Sequence, residues 1–259
     1  REMQKKIRNM AKNLVSESSN KLSPKLITFL AKNGFEVNHT MDGKTALYHA
    51  IKGDHVALVD ALLENGANAN ICDNDMNSPL ILAAKKGYPH LVKKLLDNGA
   101  DIKKRNQEGQ TALFIAVKYK QEAVVDVLLQ KKADPNISNN EMKTPLMEAM
   151  SGYDPRTFLV KKLLLNGANV DLKDTDGETA FSYARNPAIE RILEDAKNAG
   201  SMTGIGLEPQ VIEHLSTVGA FLELKDENID VAQLKEKITE MQNTLQSFKV
   251  LLGQKDDSD

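Results

Sequence analysis

Apolar residues recur along the chain in short bursts, each fitting one face of a helix. In VALVDALLEN, Val56, Val59, Leu62 and Leu63 share such a face. The burst runs into LLENGANAN at residues 62–70. The same phrase returns as LLDNGADIK at 95–103, LLQKKADPN at 128–136 and LLLNGANVD from Leu163. The offsets are 33, 33 and 35 residues. A second landmark keeps the step: TAL from Thr45, SPL from Ser78, TAL from Thr111, TPL from Thr144 and TAF from Thr179.

Each landmark has a physical reading. A Thr or Ser followed by Ala or Pro starts a helix, because the hydroxyl caps free amide groups and Pro suits the first helical turn. Gly66 and Gly99 stop the second helix, where a left-handed residue is wanted. Each unit is thus helix, turn, helix, extended loop. One such unit cannot bury its apolar face alone, so copies stacked in register form a continuous core.

The in-phase landmarks resemble the ankyrin repeat, a unit of about 33 residues with a T-P-L-H-x-A signature. The resemblance runs from residue 24 to about 195. It implies an all-α solenoid of about five helix pairs, with loop tips and inner helices lining a concave binding face. The expected units are 42–74, 75–107, 108–140, 141–175 and 176–200, preceded by a capping helix and half-repeat over 1–41. The signature His is replaced throughout, by Tyr48, Ile81, Phe114, Met147 and Ser182. In the family that His ties loops together by hydrogen bonds, so packing is expected to substitute here. Lys132 stands where Gly ends the second helix, at an expected cost on the order of 1 kcal/mol for a left-handed lysine. The unit from 141 carries two extra residues in SGYDPRT, where Asp154 before Pro155 suggests a helix cap.

The ends differ from the repeats. Met3, Ile7, Met10 and Leu14 share a face near basic residues. A capping helix over the first repeat is favoured over a membrane-surface helix. Beyond a linker after Gly200, Val211, Leu215, Val218 and Leu222 mark one helix. Val231, Leu234, Ile238, Met241, Leu245, Phe248 and Leu252 mark another with heptad spacing. Residues 208–252 are read as a helical hairpin, or as a short coiled coil that makes a homodimer through 231–252. The tail 253–259 is expected to be disordered.

Composition narrows the chemistry. Aromatics are 5% and Trp is absent, which favours a thin aliphatic helical architecture. Net charge is −2, with no global case for nucleic acid. It is uneven: residues 1–40 carry +5 and 201–259 carry −6. The single Cys72 cannot form an internal disulfide, which fits a reducing, cytoplasmic setting. No apolar run approaches the roughly 18 residues of a membrane span, and the first residues lack a signal-peptide core. The five histidines show no metal spacing, and no phosphate-binding or nucleophile motif occurs. A Cys72–His39 dyad is discounted, since adjacent repeats hold equivalent positions too far apart. No catalytic residue, metal or cofactor is expected.

Binding has better candidates. In ankyrin-like proteins partner contacts fall at loop tips and inner-helix ends. The tip column here is acidic: Asp42, Asp75, Glu108, Glu141 and Asp176. Turn chemistry alone also favours such residues. The inner-helix column is Lys52, Lys85, Lys118 and Ser151, flanked by Gly53, Lys86 and Tyr119. With Asn77 and Gln110 of the loops, the expected partner-binding set is Asp75, Asn77, Lys85, Lys86, Glu108, Gln110, Lys118, Tyr119 and Glu141. Tyr119 leads it, because Tyr is enriched in interface cores. The basic row suits an acidic peptide or protein surface better than nucleic acid.

The reading is a non-enzymatic binding module, an adaptor or scaffold with a preorganised surface. Two alternatives stay open: an oligomerising scaffold working through the C-terminal heptads, or the binding part of a larger enzyme. The Asn- and Lys-rich, Trp-free style also resembles ankyrin proteins that intracellular bacteria deliver into host cytoplasm. A eukaryotic cytosolic adaptor fits equally.

Overall fold

A computed structural model describes Thr28, Lys32, residues 36–151 and residues 157–198. The chain divides into two units, 1–205 and 206–259, and every described residue lies in the first. The expected N-terminal capping helix, the Asp154–Pro155 cap, the helices of 208–252 with their dimer, and the tail all lie outside the described residues.

Among the described residues five helix pairs follow one another: α1 (Ala46–Lys52) and α2 (Val56–Glu64), α3 (Pro79–Lys86) and α4 (Pro89–Asp97), α5 (Ala112–Lys118) and α6 (Glu122–Gln130), α7 (Pro145–Met150) and α8 (Thr157–Leu165), α9 (Ala180–Tyr183) and α10 (Pro187–Asn198). Among the described residues there is no β-strand, only an isolated bridge between Met41 and Lys44. The first helices of each pair stack on one another, as do the second helices, and the first layer is the more closely joined. The first-helix layer is the one that the resemblance to ankyrin repeats makes the inner face.

The helix starts are built as their sequence demands. Thr45, Ser78, Thr111 and Thr144 are buried, and each hydroxyl accepts from the amide three residues on. Replacing such a cap by Ala costs about 1 kcal/mol. The acceptor in each case is satisfied by the residue that replaces the family's His. Ile81, Phe114 and Met147 are themselves buried, and Ile81 belongs to the continuous core. Met147 Sδ also accepts from Thr144 N at 3.5 Å, a hydrogen bond where packing alone was expected, and Ser182 is exposed in the last repeat.

The helix stops are equally regular. Ala67 N donates to Leu62 O and Gly66 N to Leu63 O, the paired bonds of a Schellman motif. The same pair recurs at Ala100/Gly99, Ala133/Lys132 and Ala168/Gly167. Gly66, Gly99 and Gly167 have φ of 85°, 80° and 87°, and Lys132 has φ of 62°. Lys132 is the left-handed lysine expected from sequence. Asp54 and Lys120 are left-handed too, with φ of 55° and 57°, at the turns after α1 and α5.

An asparagine clasp joins repeats at this end of the stack. Asn70 Nδ2 donates to Gly99 O at 2.9 Å, and Asn70 Oδ1 accepts from Asp101 N at 2.8 Å. Asn136 makes the same two bonds to Gly167 O and Asn169 N, and Asn38 makes them to Gly66 O and Asn68 N. The register puts Lys103 where the third clasp belongs. A lysine has no acceptor and cannot make both bonds. The defect faces Lys132, so two departures from the pattern meet at one junction.

Lysine–aspartate pairs also link successive second helices or their ends. Lys94 Nζ lies 2.6 Å from Asp60 Oδ1, Lys131 Nζ 2.6 Å from Asp97 Oδ1, and Lys162 pairs with Asp126. Asp97 is held below the usual carboxylate range, first by its bond from Lys131. These pairs are solvent-facing, and each contributes little alone.

The junction yields a prediction. Lys132→Gly is expected to stabilise the protein by about 1 kcal/mol through relief of left-handed strain. Lys103→Asn should add about 1 kcal/mol by restoring the clasp. Urea midpoints of the two single variants and the double variant check this. A lowered midpoint in either single variant would contradict the assignment.

Candidate functional site

Each repeat extends a loop finger beyond the start of its first helix. The first finger is a two-residue hairpin, with Met41 and Lys44 exchanging both backbone bonds and Asp42 and Gly43 at φ of 50° and 74°. The next four are organised by one side chain each. Asp73 Oδ1 accepts from Asp75 N and Asn77 N, at 3.0 and 2.8 Å. Asn106, Asn139 and Asp174 do the same for Glu108 and Gln110, Glu141 and Lys143, and Asp176 and Glu178. These four organisers stood in the sequence two residues before the acidic tip, and the sequence reading passed over them.

The fingers are stitched tip to tip. Gln107 N donates to Asp75 O, Asn140 N to Glu108 O and Thr175 N to Glu141 O, each at 3.0 Å. The acidic tips therefore serve the stack through their carbonyls, leaving their carboxylates outward. The left-handed tip residue alternates: Gly43, Met76, Gly109, Met142 and Gly177. Neighbouring fingers explain two of the glycines. A Cβ on Gly43 would lie 1.9 Å from Asn74 Oδ1, and one on Gly109 2.2 Å from Asn140 Oδ1. Asn74 and Asn140 reach across to Asp42 O and Gln107 O. The equivalent residues facing Met76 and Met142 are Gln107 and Thr175. Both methionines carry positive φ, at 60° and 57°, and are 52% and 53% exposed. They are apolar, strained and on the finger tips, and the sequence reading did not single them out. The tip-position glycines of neighbouring repeats were the available signal.

The expected partner-binding residues do not all reach the surface. Gln110 is 4% exposed, and its Oε1 accepts from Asn106 Nδ2 at 3.5 Å. It holds a finger together and is withdrawn as a contact residue. Asn77 is half-buried and is also used internally, donating to Asp73 Oδ2 and accepting from Asn106. Asp75, Glu108 and Glu141 are exposed at the tips, and Lys85, Lys86, Lys118 and Tyr119 at the ends of α3 and α5. Tyr119 is 43% exposed, with Lys85 Nζ 5.3 Å from its ring centroid. That geometry is a cation–π contact.

The face changes character towards the fourth repeat. Lys118 Nζ lies 3.8 Å from Glu108 Oε2, and Lys143 Nζ 3.1 Å from Glu141 Oε2. Between these pairs lies Glu148, at the position that His49, Leu82, Ile115 and Tyr183 hold in the other first helices. Leu82 and Ile115 are buried, and His49 and Tyr183 are half-buried. Burial raises the Glu148 carboxyl, against the pull of Lys118 and Lys143. Next along, Tyr183 donates from its hydroxyl to Asp174 Oδ2 at 2.5 Å. Burial and that bond push the tyrosine up to about 12, and the same bond holds the buried Asp174 low. Asp174 is thus fully employed in the fold, whereas Glu148 is not.

Among the described residues, no group of His, Cys, Asp and Glu is placed to hold a metal ion, and no helix is long and apolar enough to cross a membrane. Cys72 is half-buried, with burial raising its thiol.

The family model for ankyrin repeats, three copies, matches residues 14–106 and again 80–174. Together the two matches cover more than half of the chain, which belongs to the ankyrin-repeat family. Repeats of this family are generally protein–protein interaction modules. A search of curated proteins returns no match.

Glu148 sets up a test. Its folded value lies above the unfolded one, so its share of stability is complete where it is protonated in both states. That share is lost as pH rises through the folded value. Glu148→Gln is therefore expected to gain more in Tm over wild type near pH 7 than near pH 4. An equal gain at both pH values, by calorimetry, would mean the carboxylate is not desolvated.

Proposed function

We propose that the chain is an adaptor or scaffold module that offers its first-helix face and finger tips to a protein partner. The observation that supports this is exposed Tyr119 with Lys85 against its ring; exposed Lys86 and the strained, exposed finger tips Met76 and Met142 add to it. Left-handed Met at an exposed position stabilises nothing within the stack, and exposed apolar groups rimmed by charge suit an interface. The fingers and helices are already ordered by caps and stitches, so little ordering cost falls on binding. Lys85 and Lys86 suit acidic groups of the partner at the second repeat. Light contact from rim charges would mainly raise the association rate, while Tyr119 would anchor.

The composition supports a cytoplasmic setting. An effector delivered into a host cell and a cytosolic adaptor share it equally. The heptads of 231–252 support the alternative reading, an oligomerising scaffold that dimerises through that helix.

The test is an affinity pull-down from cell lysate with mass spectrometry. Wild type is run beside a Lys85, Lys86, Lys118 and Tyr119 quadruple-alanine variant, with circular dichroism confirming that both fold. A partner held by wild type and lost by the variant is the expected result. Loss of at least tenfold in affinity is expected from removing a central aromatic anchor, a change of about 1.4 kcal/mol or more. A partner held equally by both would place the interface elsewhere on the chain.

A further inference from the structure

Asn–Gly pairs stand at three of the described helix stops: Asn65–Gly66, Asn98–Gly99 and Asn166–Gly167. Asn33–Gly34 lies outside the described residues. Such a pair is chemically fragile. The Gly amide, once it gives its proton to solvent base, attacks the Asn Cγ, unhindered because Gly carries no side chain. The new N–Cγ bond closes a five-membered succinimide, the Cγ–Nδ2 bond breaks, and the side-chain nitrogen leaves as ammonia. Water then opens the ring to Asp or isoaspartate.

The stack holds both reacting groups. Gly99 N donates to Leu96 O at 3.1 Å, and Gly167 N to Leu164 O at 3.0 Å. Asn98 Nδ2 donates to Lys94 O and Asn166 Nδ2 to Lys162 O, each at 2.8 Å. A clasp from the preceding repeat fixes each turn from the other side. Asn70 bridges Gly99 O and Asp101 N, and Asn136 bridges Gly167 O and Asn169 N. Asn98 and Asn166 are exposed, so solvent base has access to both turns. The one unclasped stop in the series points the same way: beside Lys103 it reads Lys131–Lys132 and carries no Asn–Gly.

We propose that Asn98 and Asn166 are spontaneous deamidation sites, held unreactive by the clasps of Asn70 and Asn136 and released when that junction opens. Closed, the junction keeps the Gly N–H on its helix carbonyl and the Asn amide on another. Local opening frees both, and the ring closes. The product does not restore the stop. Asp has no N–H to donate to Lys94 O or Lys162 O, and it adds negative charge at the negative end of the helix. Isoaspartate adds a carbon to the main chain and shifts the register that the next repeat needs. Each event therefore marks the junction that opened and weakens it further. Asn65 is half-buried and its Nδ2 also donates to Thr28 Oγ1 at 3.3 Å, so it is the slowest of the three.

The experiment incubates the full chain in mildly alkaline buffer, with and without urea, and follows each site by peptide mapping and mass spectrometry. Circular dichroism confirms the fold of every variant. Asn98 and Asn166 are expected to react at least about tenfold faster in urea than in the folded chain. Asn70→Ala removes two bonds and should raise the rate at Asn98 by about tenfold, leaving Asn166 unchanged. Asn136→Ala should do the reverse. A further arm removes no clasp. Lys131→Asn with Lys132→Gly builds an Asn–Gly at the unclasped stop, which should react faster than Asn98 and Asn166 in the same molecule. Adding Lys103→Asn should slow it to their rate. If a clasp variant fails to fold, this arm decides alone. Equal rates in the folded and urea-unfolded chain overturn the inference. So does a clasp variant that speeds both sites alike, or a new Asn–Gly at 131–132 no faster than the clasped ones.

Discussion

No repeat in this chain can bury its own apolar face, and everything else in the structure follows from that. Leu95, Val124, Leu128 and Leu163 are fully buried only because a neighbouring repeat covers them. Fully burying each such side chain is worth roughly 1.5–3 kcal/mol, so the core is a sum of junctions and not of separate units. The polar groups must obey the same register. Thr45, Ser78, Thr111 and Thr144 are buried hydroxyls that would be costly without their amide partners. The caps, stops and asparagine clasps therefore serve one end: they let backbone-rich turns sit against a neighbour without leaving polar groups unpaired.

Registration also explains why departures come in pairs. Where a finger tip is Gly43 or Gly109, the next finger leans an asparagine over it; where it is Met76 or Met142, that asparagine is replaced. Where Lys103 replaces the clasping asparagine, Lys132 replaces the glycine it would have held. A tip or a junction is thus a property of two adjacent repeats. The inner face inherits this order, since Tyr119, Lys118 and Glu148 project from helices fixed by neighbours on either side. Such a face is preorganised, and its variable residues are free to change without disturbing the core.

The parts of the structure set by period were legible in the sequence. Helix pairs, their caps and the left-handed Lys132 follow from local chemistry repeated in phase. What depends on contact between repeats was not. Gln110 is a local exception: Asn106, four residues earlier in the same finger, holds it inward, and the polar loop composition hid that bond. The Lys94–Asp60 and Lys162–Asp126 pairs need the stack before they can be seen. Glu148 stands in a mixed column with His49, Leu82, Ile115 and Tyr183, and its desolvation depends on what the stack places around it. Met76 and Met142 differ again: the tip alignment with Gly43, Gly109 and Gly177 marks them in the sequence alone.

Site-specific photo-crosslinking tests most directly whether the inner face is the working surface. A photoreactive residue is placed at Tyr119 on the inner face, and separately at Phe158, which is exposed on the second-helix layer. A partner is expected to crosslink from position 119 and not from 158. Efficient crosslinking from 158 with none from 119 would contradict it, and would make the second-helix layer the working surface of the stack.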